Sequence, residues 1–182
     1  MEDRRERIID ATVELAEKGG FESVRLRDVA SVSGVALGTV YRHFASKEAL
    51  LVGALSREME SLQKAIRRRP PRGETRLERA LGFFRAANRG VLSRPNFARA
   101  VIRALATGDP EMHEATASFH DGNTELITDV IVGDGRRTER DARVASVLQN
   151  VWFAALVGWT GGLHDDAGVM ERVQVAAEQL LD

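Results

Sequence analysis

Apolar residues recur at helical spacing along the whole chain, and no stretch of four or more residues alternates convincingly with period two. That regularity argues against a sheet and predicts an all-α fold of about nine helices, because a stripe repeating every 3.6 residues is buried along one helix face. Ile8, Ala11, Thr12 and Leu15 open the series, and Gly19-Gly20 stops it. A short unit over residues 26–33 ends at Gly34, and another covers about 36–44. Ser46 then caps a long helix with Glu48 in its first turn. That helix carries Leu51, Leu55 and Leu62 and ends near Arg69, because Pro70-Pro71 cannot continue it.

Pro70-Pro71-Arg72-Gly73 is the clearest linker. Beyond it the spacing predicts helices over 75–93, from Pro95 to near Gly108, and from an Asp109-Pro110 start to about Val132. Gly133-Asp134-Gly135 reads as a turn, followed by a long apolar helix over 138–163 and a last one over about 166–181. A chain of 182 residues accommodates one domain or two small ones. The expected division is 1–46, with the start of a connecting helix to about 64, and 47–182. The chain has no cysteine, which excludes thiol catalysis and cysteine-held metals. The charged N-terminus shows no signal peptide, and the longest apolar run, Val151 to Trp159, is far short of the ~20 residues that span a bilayer. The expectation is a cytoplasmic protein with no membrane partner.

The segment from Leu26 to Phe44 holds two short helices around Gly34. A glycine there adopts the left-handed conformation that ends one helix and turns the chain sharply. Val29, Ala30, Val35 and Val40 are spaced to pack the pair, and Leu37, Gly38, Thr39, Arg42 and His43 are expected to point outward. This is a helix-turn-helix pattern, whose second helix enters the major groove of B-DNA. Arg42 suits bidentate contact with guanine, and His43 is a weaker reader. Thr39 and Tyr41 carry hydroxyls for phosphates or base edges. Lys47 joins a cation to a helix N-terminus, a phosphate-binding combination.

Residues 4–62 resemble the DNA-binding domain of the tetracycline-repressor (TetR) family. The matching pieces are Arg7-Ile8-Ile9-Asp10-Ala11-Thr12, Gly20-Phe21, Arg27-Asp28-Val29-Ala30, Ser33-Gly34-Val35, Gly38-Thr39-Val40-Tyr41-Arg42-His43-Phe44 and Ser46-Lys47-Glu48-Ala49-Leu50-Leu51. The resemblance implies phosphate or base contacts from Thr39, Tyr41, His43 and Lys47. Arg25 and Ala36 stand where the family often has a capping Ser or Thr, and Arg25 is a candidate phosphate contact in its own right, as is Arg27. The resemblance also implies that the remainder binds a ligand and dimerises. The stretch Val151–Trp159, with Val40-Tyr41-Arg42, is further similar to actinobacterial repressors of sterol catabolism, which implies a steroid or acyl-CoA effector.

The last two helices have broad apolar stripes, so Val144, Leu148, Val151, Ala155, Trp159, Val169, Val173 and Leu180 are candidates for a homodimer interface. Phe83, Phe84, Phe97, Phe119 and Trp152, with Met59, Leu62 and Ile102, are candidates to line an apolar effector pocket. Asn88 and Asn123 would be its polar anchors. His113, Glu114, His120 and Asp121 invite a metal reading, but ~10 Å of helical rise between the two histidines rules against shared ligation, so neither metal nor cofactor is expected.

The expected function is a ligand-responsive repressor that binds a palindromic double-stranded DNA operator as a homodimer. Two alternatives stand beside it. An all-helical enzyme lacks support, since there is no Gly-rich phosphate loop, glutamate–histidine metal motif or triad. A helical adaptor without DNA binding draws only on the altered caps. Residues 1–72 hold 14 basic and 11 acidic residues, whereas residues 1–50 hold 8 and 9. DNA binding must therefore rest on a few placed cations and helix ends, not on bulk charge.

Overall fold

The computed structural model describes residues 2–106 and 113–181. Among these residues there are nine α-helices, a 3-10 turn and no strand. In order they are α1 (Glu2–Gly19), the 3-10 turn (Phe21–Ser23), α2 (Leu26–Ser33), α3 (Leu37–His43), α4 (Lys47–Arg68), α5 (Arg76–Leu92), α6 (Pro95–Ala106), α7 (His113–Val132), α8 (Glu139–Thr160) and α9 (Asp166–Leu181). The expected Asp109-Pro110 helix start and the Gly108 helix end lie outside the described residues.

Local chemistry accounts for most of the ends. Ser46 Oγ accepts from the Ala49 amide at 3.1 Å, which caps α4. Thr75 and Thr138 each form a reciprocal capping box, with Glu78 and Asp141 respectively. Gly34 sits at φ 66° and closes α2, with its amide donating to the Ala30 and Ser31 carbonyls. Only a residue without Cβ holds that conformation cheaply.

Two compact units share the chain: residues 1–60 with 94–116, and residues 61–93 with 117–182. The first has an apolar core of Ile8, Ile9, Val24, Val29, Val40, Phe44, Leu50 and Leu51, joined by Phe97, Ala100, Val101 and Ala104 from α6. The spacing predicts α6 as a helix but not its attachment to this unit, because periodicity does not say against what a stripe packs. Its fastenings include hydrogen bonds from the Phe97 amide to Glu17 Oε2 at 3.0 Å and from Asn96 Nδ2 to the Glu17 carbonyl at 2.9 Å.

The second unit is built on the α8–α9 hairpin, with α5 packed on α9. Arg79 on α5 stitches it together: Nη2 and Nε donate to the Ile131 carbonyl at 2.8 and 3.2 Å, and Nη1 to the Gly73 carbonyl at 3.1 Å. Helix α7 thereby has one of its last orphan carbonyls satisfied by a side chain from α5.

Candidate functional site

Helix α3 is seven residues long and has two unlike faces. Val40 is fully buried, whereas Tyr41 is 55% exposed. Gly38 and Arg42 are exposed too, and Thr39 and His43 are half-buried. Leu37 corrects the expectation that it points outward: it packs half-buried against the core of its unit, one turn before Tyr41. The exposed face is therefore narrower than the sequence implies and centres on Gly38, Tyr41 and Arg42.

The flanks add cations. Arg25 and Arg27 are exposed. Neither they nor Arg42 form an ion pair among the described residues. Arg25 and Ala36 occupy the cap positions of α2 and α3, and neither makes a side-chain cap bond. Lys47 is different, since its Nζ lies 3.6 Å from Glu22 Oε2 and 3.9 Å from the centre of the Phe21 ring.

The face is braced from behind. Gly53 of α4 lies so close to Phe44 that a Cβ there would come within 2.6 Å of the ring. Arg57, also on α4, bonds to Asp10 and Glu6 of α1 and to Glu58. Burial alone would lower the Arg57 pKa; the bonds to Asp10 and Glu6 outweigh it, so the guanidinium is held above its ordinary value. Arg94, just before α6, joins the cluster through Glu58 at 3.1 Å. Nothing in the sequence singles out these bracing residues, because ion pairs 36 to 51 positions apart leave no periodic signal.

The effector candidates fall in two groups. Met59, Phe97 and Ile102 are buried in the first unit, with Phe97 in its core. Phe83, Phe84, Asn88, Asn123 and Trp152 are buried in the second, where Leu62 and Phe119 are half-buried. There Phe83 and Phe84 meet edge to face at 5.2 Å, and Phe84 and Trp152 lie 5.9 Å apart. Trp152 Nε1 donates to Asn88 Oδ1 at 3.2 Å. Asn123 Oδ1 is buried without a hydrogen-bond partner.

A polar cluster that the sequence does not reveal lies between α7 and α8. Gln149 contacts His120 Nδ1 at 3.1 Å and accepts from Thr124 Oγ1 at 3.0 Å, and Ser146 Oγ is 3.4 Å from His120 Nε2. His120 thus faces hydroxyl and amide groups. Among the described residues no group of three or more His, Cys, Asp or Glu is arranged to hold a metal. An open cleft at the α8–α9 turn is lined by Gly162, His164, Asp165, Gly168, Glu171 and Arg172, none of them an effector candidate.

Of the eight dimer candidates, Val144, Leu148, Ala155, Trp159, Val169 and Val173 are covered by their own chain, and Val151 and Leu180 are half-buried. The apolar side chains that α8 and α9 leave open include Val147, Phe153, Val157 and Val175. The stripe read from the sequence is the one that joins the two helices to their own unit. No described helix is long and apolar enough to cross a membrane.

Comparison with known proteins agrees with this geometry. Residues 8–54 match the bacterial regulatory proteins of the tetR family, and residues 73–180 match the tetracyclin repressor-like C-terminal domain. The HTH-type transcriptional repressor KstR of Rhodococcus jostii is 36% identical over 183 residues, covering 98% of this chain and 83% of that repressor. A TetR transcriptional regulator from Rhodococcus sp. RHA1 superposes with a TM-score of 0.88 at 24% identity, over 99% of this chain and 96% of the other. Thermus thermophilus FadR, a TetR-family repressor solved in complex with lauroyl-CoA, superposes at 0.77 with 23% identity, over 97% and 93% of the two chains.

Proposed function

The chain belongs to the tetR family of bacterial regulatory proteins, and from that premise we propose a homodimeric repressor released from its operator by a small, largely apolar effector. That it is a DNA-binding transcription regulator follows from the family. The observation that carries the assignment of its DNA-reading surface is the divided face of α3, with Val40 sealed in the core and Tyr41 and Arg42 open beside Gly38. In this reading α3 lies in the major groove. Arg42 reads guanine, while Thr39, Tyr41, His43 and Lys47 take phosphates or base edges and Arg25 and Arg27 flank them.

Pairing with a second copy uses Val147, Phe153, Val157 and Val175, with the half-buried Val151 and Leu180 at the margin. A two-fold pair spaces the reading helices at roughly 34–36 Å, one turn of DNA, and so takes a palindromic operator. The effector site is the interior of the second unit, around Phe83, Phe84, Trp152 and Asn88, where Asn123 Oδ1 offers a buried acceptor. The resemblance of Val151–Trp159 to repressors of sterol catabolism supports a steroid or acyl-CoA ligand, and Thermus thermophilus FadR, which shares this fold, was solved in complex with lauroyl-CoA. The role is regulatory, not catalytic, and the site of action is the cytoplasm.

Fluorescence anisotropy with a duplex from the protein's own promoter region tests this. The expected result is salt-dependent binding, reversed by a long-chain or steroid acyl-CoA that also changes Trp152 emission in a Trp159→Phe background. Absence of salt-dependent binding to that duplex overturns the regulator; binding that no acyl-CoA or steroid reverses overturns the effector class alone.

A further inference from the structure

The 3-10 turn after α1 gathers two cations from different helices. Lys47, the first residue of α4, has Nζ 3.6 Å from Glu22 Oε2. Arg103, on α6, has Nη2 2.8 Å from Glu22 Oε1. Both cations also rest near one ring: Lys47 Nζ is 3.9 Å and Arg103 Cζ 4.3 Å from the Phe21 centroid. Phe21 is only 8% exposed, so its ring is held by the core and fixes where the cations settle. Two like charges drawn to one ring repel, and the Glu22 carboxylate between them offsets that repulsion.

We propose that Glu22 is a brake on Lys47, and that Arg103 on α6 sets how hard the brake acts. The inference rests on the reading of Lys47 as a phosphate contact. A DNA phosphate and the Glu22 carboxylate compete for one ammonium group. The carboxylate is shared unequally: Arg103 holds it at hydrogen-bond distance, and Lys47 is further off. If Arg103 withdraws, the carboxylate is left with Lys47 alone, and the ammonium becomes less available to DNA. Helix α6 thereby tunes phosphate affinity through charge, with no change in the shape of α3. Because the three groups are partly exposed, the effect is modest.

The test is operator binding by the full chain at two salt concentrations, with thermal melting to confirm that each variant folds. Glu22→Gln is expected to tighten binding about two- to fivefold, the range of an exposed ion pair, and Arg103→Gln to weaken it by about twofold. The double variant should match Glu22→Gln, because Arg103 acts only through Glu22. Lys47→Gln should weaken binding, lower the salt slope by about one per subunit and so about two per dimer, and abolish the gain from Glu22→Gln. If Lys47→Gln changes neither affinity nor slope, the phosphate reading fails and the brake falls with it. If Lys47→Gln weakens binding but Glu22→Gln leaves it unchanged, the brake alone is overturned. The brake is also overturned if Arg103→Gln weakens binding equally in the Glu22→Gln background, which marks a direct DNA contact by Arg103. Equal tightening by Glu22→Gln without Lys47 overturns it as well, since that marks general repulsion.

Discussion

The two units bury polar groups in different ways. In the first, the buried polar side chains among the described residues are Thr12 and Ser33, and each returns its hydroxyl to a carbonyl of its own helix, Ile8 and Val29. In the second, Asn88, Asn123, Thr128, Asp141 and Gln149 are buried, and several reach across to other helices. A buried polar group without a partner costs stability, so a protein keeps one where it serves another end. The first unit works at its surface and has an apolar interior. The second buries polar groups that reach between its helices, which suits the effector site proposed there. Substitutions should therefore separate affinity from stability along the same line.

The largest expected effect lies inside the second unit. Phe84→Ala removes a fully buried ring that touches Phe83 and Trp152, and should cost about 3–5 kcal/mol in urea unfolding. A loss below about 1 kcal/mol would mean that the interior is loosely packed and the contrast misdrawn. Next comes the divided face of α8. Leu148→Ala should destabilise the fold by about 2–5 kcal/mol. Val147→Asp with Phe153→Asp should leave the monomer folded but shift sedimentation from dimer to monomer. The reverse pattern would return the interface to the stripe that the sequence suggests.

On the first unit, Arg42→Ala should weaken operator binding by about 1–3 kcal/mol per subunit and relax specificity at one base pair of each half-site, with the melting temperature unchanged. The smallest effect concerns a helix start. The Thr138 hydroxyl holds the Asp141 carboxyl below its ordinary range, against the upward pull of burial, and the Thr138 amide and Arg76 assist. A depressed carboxylate contributes stability that is present above the unfolded value near pH 4 and is lost as pH falls through the folded one. Asp141→Asn should flatten the loss of stability below about pH 4, and Thr138→Ala should cost about 1 kcal/mol at neutral pH. A stability profile in acid identical to that of the parent chain would show that the box contributes nothing through charge.

What is legible in the sequence depends on how far apart along the chain the interacting residues lie. The α2–Gly34–α3 turn is legible because its residues are local: a positive-φ glycine, small residues and a buried valine lie within a dozen positions. Helix spans are legible for the same reason, as the cap at Ser46 and the stops at Gly19-Gly20 and Pro70-Pro71 act within one turn. The docking of α6, the Arg57 cluster and the His120–Gln149 contact are not, because each joins residues far apart in the chain. The dimer stripe shows the sharpest limit. Val144 and Val147 are both apolar and three apart, and only packing decides that one is 6% and the other 45% exposed.

The seven-residue α3 has no side-chain cap at its start. A helix that short has no stability of its own. Its shape is borrowed from Val40, Phe44 and the Gly34 turn, and it lasts only as long as they hold. Injury to that core, by heat or by mutation, would dissolve the surface proposed to read DNA. In a cell such a lesion would surface as genes released from control although every proposed DNA contact was still encoded.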